Sequence, residues 1–322
     1  MKNSRIDSAI KNNKMDCSKF IESIRKRMDS VPGLIIDNFG LSAHLGKKLS
    51  AGCKACKKNK WIVVFIGKAC NCKCYFCPQT HNKPRIGSKI DRDGIVETNI
   101  LPSAAYYDHL LIKLKNAAAI KTIEALGYGG GETFLYLDRI KKYAKELTAI
   151  QSGLYQYAYT NGIAVTEDSV KELREAGIRE IRFNLAATNY SEEIIDKMGL
   201  IRKIIPFLTI EVPSLRDTRL KIKEHIRRFI DIGVDQINLS ELYINRYNAQ
   251  YFNNEKYYDV NVFHLSDIKK GRVISDTLIE RYTVWSRHVT YDIIEMAAKE
   301  KWPITINDCS VLNHCKPIIL AI

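Results

Sequence analysis

The chain has 322 residues, 46% of them hydrophobic and only eight prolines, which suits a globular protein of one large domain or two smaller ones. No apolar run reaches the roughly eighteen residues of a membrane span. The start, Met1-Lys-Asn-Ser-Arg-Ile-Asp7, lacks the apolar stretch of a signal peptide, so the expected compartment is the cytoplasm. Thiols stay reduced there, so the nine cysteines, mostly clustered, argue for metal rather than for a disulfide framework. Cys17 stands apart and reads as a packing residue.

The formal charge of +14 is uneven: residues 1–60 hold 14 Lys/Arg against 5 Asp/Glu, and residues 61–322 hold 36 against 31. A basic N-terminal region suits nucleic acid, an acidic peptide or an acidic redox partner, and equally an ordinary solvated lysine-rich face. No block of five or six like charges occurs, which speaks against nucleic acid.

In chain order, Phe20, Ile21, Ile24 and Met28 recur at helical spacing, and Val31-Pro-Gly33 ends that helix. Residues 34–60 show no clear period. From Trp61 the pattern repeats. Apolar runs at 61–67, 122–128, 154–160, 180–185, 206–212 and 236–242 read as strands. Amphipathic segments near 103–118, 135–150, 167–177, 191–204 and 219–232 read as helices between them. Thr166 and Ser191 stand where N-caps belong, and Gly177 and Gly233 where C-caps belong. Strands alternating with helices imply a parallel sheet with helical crossovers, and six units imply a partial (β/α)6 TIM-like barrel. The expected division is an N-terminal extension over 1–60, the barrel over 61–242, and a C-terminal cap over 243–322. The cap offers a helix near 288–300 and a strand at 303–306.

Chemistry concentrates at the ends of the first two strands. Cys70, Cys74 and Cys77 follow the first at Cys-x3-Cys-x2-Cys spacing, with Phe76 before the last thiol. Thiolates are the usual ligands of iron–sulfur clusters, and three of them leave one iron of a four-iron cluster open to another ligand. Cys72 lies between them, either as a bystander or reactive thiol or as a fourth ligand that would close the cluster. After the second strand comes Gly127-Tyr-Gly-Gly-Gly-Glu-Thr133. Its glycines let backbone approach a ligand closely, and by itself it is equally a turn before a helix.

Together these residues resemble the radical S-adenosylmethionine (SAM) enzymes. Cys70, Cys74, Cys77 and Phe76 resemble the cluster loop of that superfamily, and Gly130-Gly131-Glu132 its Gly-Gly-Glu motif. Thr160-Asn161-Gly162 resembles its Thr-Asn-Gly segment, and Asn184 stands where polar residues contact the SAM carboxylate or ribose. A narrower resemblance, carried by Gly52-Cys-Lys-Ala-Cys-Lys-Lys58, Glu211-Val-Pro213, Asn238–Leu242 and Cys309-Ser310, is to a group related to pyruvate formate-lyase activating enzyme.

The resemblance implies a [4Fe–4S] cluster on Cys70, Cys74 and Cys77, with SAM contacts from Phe76, Gly130, Gly131, Glu132, Thr160, Asn161, Asn184 and Glu211. It implies reductive SAM cleavage to a 5′-deoxyadenosyl radical that takes hydrogen from a substrate. It also implies oxygen sensitivity and a flavodoxin or ferredoxin as electron donor. A peptide or protein is the expected substrate, ahead of RNA or a small amino-acid-like metabolite.

Cys53, Cys56, Cys309 and Cys315 remain, two on each side of the barrel in sequence. If the tail folds back on the N-terminal extension they could hold a second iron–sulfur cluster or zinc, with His314 as a substitute ligand; otherwise they are plain thiols. A rival pairing, Cys53-x2-Cys56 with Cys74-x2-Cys77, has zinc-ribbon spacing and would make a non-enzymatic nucleic-acid-binding module. Glu211, Arg216 and Glu241 sit at strand ends, suited to cavity contacts or to ordinary ion pairs.

Overall fold

The computed structural model describes residues 17–37, 42–79, 88–90, 96–98, 104–245, 247–252, 255–269 and 272–310. Cys315 and His314 lie outside these residues. The N-terminal part comprises helix α1 (Cys17–Ser30), the short strands β1 (Leu34–Ile36) and β2 (Ala43–Leu45), and helix α2 (Ala51–Lys57). The repeating part begins with β3 (Trp61–Phe65), a small β4–β5 pair (Ser88–Ile90, Val96–Thr98), α3 (Ala104–Ala119), β6 (Ala125–Gly129), α4 (Leu137–Ile150) and β7 (Tyr155–Thr160). It continues through α5 (Glu167–Ala176), β8 (Ile178–Phe183), α6 (Glu192–Ile201), β9 (Phe207–Pro213), α7 (Thr218–Ile232) and β10 (Gln236–Ser240). The tail carries β11 (Tyr243–Ile244), a long β12–β13 hairpin (Tyr257–Lys269, Arg272–Thr283), α8 (Val284–Glu300) and β14 (Thr305–Cys309).

The main sheet runs β1-β2-β14-β10-β9-β8-β7-β6-β3, parallel from β14 through β3 and antiparallel at β2 and β1. It is the α/β partial barrel expected from the sequence, with one strand more. Thr305–Cys309 pairs in parallel with Gln236–Ser240, so the tail does not stand apart from the barrel but supplies its seventh parallel strand. β2 pairs with that strand in turn, through Leu45 opposite Ile306. Arg27 of α1 reaches Asp292 at 2.7 Å and Glu295 at 2.8 Å on α8. The N-terminal extension and the tail therefore meet.

Alternation along each strand explains the two faces. Leu126, Ala158, Ile181, Phe183, Leu208, Ile210, Ile237, Leu239 and Ile306 are buried in one apolar core with the helices. The intervening positions, among them Tyr157, Arg182, Thr209, Gln236, Asn238 and Asn307, are also buried but mostly polar and point the other way, into the barrel. Thr166 caps α5 in a reciprocal capping box with Ser169, and Gly177 ends that helix at φ +114°. The next strand starts at Ile178, two residues before the expected 180, because the left-handed glycine turns the chain at once into the sheet.

Candidate active site

The loop from Gly67 to Cys77 leaves β3 and lies over the C-terminal ends of β6 and β7. Backbone bonds fix it there: Gly131 N–H donates to Gly67 O at 2.9 Å and Glu132 N–H to Ala69 O at 2.8 Å. A Cβ on Gly131 would stand 2.1 Å from Ala69 O, and one on Gly130, at φ +118°, would stand 2.4 Å from Gly67 O. The paired glycines are thus required by the close approach of two backbones. Tyr136 adds its hydroxyl as acceptor for Ala69 N–H at 2.7 Å.

Glu132 is 2% exposed. Its carboxylate accepts from Thr160 Oγ1 at 2.6 Å, Asn161 N at 2.7 Å and Phe134 N at 3.0 Å. Burial pushes its carboxyl above the usual range, and those donors act in the opposite direction. With three bonds made, the side chain joins the ends of β6 and β7 and keeps little acceptor capacity for anything else. Thr160 is committed in the same way, accepting from Gly162 N–H as it donates to Glu132.

Asn161 is the clip between β7 and the cluster loop. Its Nδ2 donates to Asn71 Oδ1 at 2.6 Å and lies 3.8 Å from Cys70 Sγ. Asn184 follows at the end of β8, its N–H on Thr160 O at 2.8 Å and its Oδ1 accepting from Ala187 N–H at 3.3 Å. On the other side Asn248 Nδ2 donates to Phe76 O at 3.0 Å and Asn245 Nδ2 to Pro78 O at 2.6 Å. Phe76 packs with Leu215, Leu242 and Phe252. Nothing in the local pattern marks Asn245 and Asn248, because their partners are backbone carbonyls far away in the chain.

Cys74 is pushed up to about 12, first by burial and then by Cys72, Cys77 and Cys70. Cys77 is raised by burial and by Cys70, and Cys72 by burial, Cys70 and Glu132. The thiols are thus near enough to raise one another, an environment that a polynuclear metal cluster would neutralise. Cys72 N–H points at Cys70 Sγ over 3.4 Å, the kind of bond that tunes a cluster thiolate. The donor set fits a cluster held at three corners.

The structure brings Phe76, Gly130, Gly131, Glu132, Thr160, Asn161 and Asn184 to this end of the barrel, and takes three other residues elsewhere. Glu211 lies inside the barrel, accepting from Arg182 Nη1 at 2.9 Å and Asn238 Nδ2 at 2.8 Å. Arg216 does not face a cavity; it pairs with Glu255 at 2.8 Å on the surface and lies over Trp285. Glu241 is buried against Tyr258 and Ser310.

The zinc-ribbon pairing is not formed. Cys53 and Cys56 line an internal chamber with Cys309, Arg182 and Glu211, whereas Cys74 and Cys77 are in the loop. Among the described residues no group of three or more His, Cys, Asp or Glu is spaced to hold a single metal ion. Sequence reasoning missed the polar lumen itself, Arg182, Gln236, Asn238 and Asn307. Its signal was a polar residue at every second position of strands otherwise apolar.

Residues 64–206 match the family model of the radical SAM superfamily. Over 211 residues the chain is 27% identical to "Putative glycyl-radical enzyme activating enzyme MJ0021" of Methanocaldococcus jannaschii, covering 62% of this chain and 52% of that protein. The chain thus spans about half the length of this relative. Among solved structures, SuiB of Streptococcus suis bound to precursor peptide SuiA is 13% identical over 79% of this chain and 51% of that one, with a TM-score of 0.48. Coproporphyrinogen III oxidase HemN of Escherichia coli is 13% identical over 68% of this chain and 46% of that one, with a TM-score of 0.38. The matched region holds the cluster loop, the Gly-Gly-Glu ledge, Asn161 and Asn184, and through it the chain is similar to the radical SAM superfamily.

Proposed function

We propose that this chain is an oxygen-sensitive cytoplasmic enzyme that starts radical chemistry on a peptide or protein, using a [4Fe–4S] cluster on Cys70, Cys74 and Cys77. Similarity to the superfamily implies the cluster and SAM. The observation that carries the reading is the bolting of the cluster loop to Gly130–Glu132 and Asn161, which leaves its thiols near one another beside the strand ends. When bound, the pair supplies reductive SAM cleavage and an adenosyl radical.

The chain's own residues orient and shield that chemistry. Glu132 fixes Thr160 and Asn161, so that the ends of β6 and β7 keep one geometry. The glycine ledge presents backbone rather than side chains to a bound methionine group, and Asn184 stands next along the row of strand ends. Phe76, packed on Leu215, Leu242 and Phe252, keeps Cys74 against an apolar wall. The name of the Methanocaldococcus relative, an activating enzyme, supports a protein substrate, as does the basic N-terminal region. A flavodoxin or ferredoxin would deliver the electron.

The test is anaerobic reconstitution followed by reduction with SAM present. The intact protein should form 5′-deoxyadenosine, and Cys74→Ala should form none. Persistent cleavage by Cys74→Ala would overturn the ligand assignment. Hydrogen transfer from offered peptides, followed by isotope exchange into 5′-deoxyadenosine, separates a peptide substrate from RNA or a metabolite.

A further inference from the structure

Inside the barrel, below the strand ends, is a chamber of about 70 Å³. That is room for several water-sized bodies, where one needs about 10–15 Å³ by the same measure. Its lining includes Cys53 and Cys56 from α2, Cys309 from β14, and Arg182, Glu211 and Asn307 from the strands. Helix α2 enters the barrel closely enough that Gly52 can carry no side chain. A Cβ there would meet Arg182 Nη2 at 2.8 Å and the Tyr157 ring at 3.0 Å.

Two observations describe the chemistry of the chamber. First, Cys53 is 4% exposed and its Sγ is ringed by N–H donors. Gln236 Nε2 is at 3.1 Å, Arg182 Nη2 and Asn238 Nδ2 both at 3.5 Å, and Asn307 Nδ2 at 3.9 Å. Such donors commonly surround the thiolate ligands of clusters and set their potential. Second, Asn307 is 2% exposed and its Oδ1 has no hydrogen-bond partner among the described residues. A buried acceptor left unpaired is costly and calls for a donor such as an ordered water, so this end of the chamber is polar rather than dry.

We propose that this chamber holds a second iron–sulfur cluster, ligated by Cys53, Cys56 and Cys309. Geometry separates this from the other uses of three thiols. Cys53 and Cys56 are three apart on one helix, so their Cβ atoms are about 5–6 Å apart. A disulfide needs about 3.5–4.5 Å between Cβ atoms. A structural zinc takes four ligands, whereas the described lining offers three thiols, with Glu211 already engaged by Arg182 and Asn238. A cluster takes its thiolates on different irons and accepts the wider set.

The lack of a single-ion group among the described residues agrees with this. The same lack holds at Cys70, Cys74 and Cys77, where similarity to the superfamily implies a four-iron cluster. Arg182 is already shared by Glu180 and Glu211, so the amides of Gln236, Asn238 and Asn307 are what would offset the negative charge of three thiolates and an iron–sulfur core.

The experiment counts iron, sulfide and zinc on the full chain after anaerobic reconstitution, beside a variant carrying Cys70→Ala, Cys74→Ala and Cys77→Ala. The intact chain should hold about eight irons, and the variant should keep about four with the absorption and reduced-state paramagnetic signal of a cluster. Cys53→Ser with Cys309→Ser should take the intact chain from about eight to about four. A loop variant of native circular dichroism but without iron overturns the proposal. So does one zinc without extra iron, or a chain 2 Da lighter by a Cys53–Cys56 or Cys56–Cys309 disulfide. Because the loop variant lacks the catalytic cluster, the result stands whether or not the proposed activity does.

Discussion

Cys70, Cys74 and Cys77 come from eight consecutive residues on one loop, whereas Cys53, Cys56 and Cys309 come from opposite ends of the chain and meet inside the barrel. The loop is held by two backbone bonds, from Gly131 and Glu132, and by side chains that reach it from outside, Tyr136, Asn161, Asn245 and Asn248. The lumen set is held by a buried net of charged and amide groups, Glu180, Arg182, Glu211, Gln236, Asn238 and Asn307, distributed over four strands. The first set is local in sequence, whereas the second is brought together only by the closed sheet and α2.

The sharpest way to break that contrast is at adjacent positions of one strand. Arg182 is buried with Glu180, their side chains 4% and 0% exposed, and it also holds Glu211. Replacing it by leucine strands two carboxylates in the lumen and should cost about 3–5 kcal/mol, because breaking a buried pair leaves an uncompensated charge. Ile181, one residue earlier, faces the helices; Ile181→Val should cost only about 0.5–1.5 kcal/mol. Urea unfolding of both variants measures the difference. Equal losses would mean that the lumen net is solvated and does not organise the barrel.

The next effect is at the loop side. Glu132→Gln keeps the size of the side chain but turns an NH2 group toward donors on Thr160, Asn161 and Phe134. A loss of about 1–3 kcal/mol is expected from the unsatisfied donor. Cluster occupancy should fall with it, because Asn161 loses its anchor while still bonded to Asn71. If Glu132→Gln retains full iron and full stability but loses SAM binding, the carboxylate contacts the cofactor directly and its structural role is secondary.

These two regions also mark how far the sequence could be read. The helices and parallel strands of 61–242 were visible in periodicity, with boundaries mostly within a few residues, since capping residues and glycines such as Thr166 and Gly177 act locally. The cysteine loop was visible because its three thiols lie within eight residues and resemble a family motif. Helix α2 was not, because seven residues with two lysines and two cysteines show no apolar period. The seventh strand was expected only as a separate piece of tail, since Thr-Ile-Asn-Asp-Cys has a single large apolar residue. Its polar positions look inward to Asn238 and Cys53, partners that only the closed sheet brings near. The β12–β13 hairpin was missed for a related reason: Tyr257–Thr283 mixes apolar and charged residues without a turn signal that fixes the register.

The smallest effect concerns the strap β2, which lies against the lumen's last strand. His44 is lowered to about 4, by burial first and then by Lys57, with Asp37 acting in the opposite direction and Lys54 adding to Lys57. Between the usual histidine value near 6.5 and about 4, the unfolded chain binds a proton there that the folded chain refuses. Stability contributed by neutral His44 is therefore present above pH 6.5 and declines as pH falls toward 4. Denaturant unfolding at pH 7 and pH 5 should show a smaller drop for His44→Asn, which keeps a polar side chain but cannot titrate, than for the intact protein. An equal drop in both would place the acid sensitivity elsewhere and leave the strap's burial of His44 without consequence for the lumen it covers.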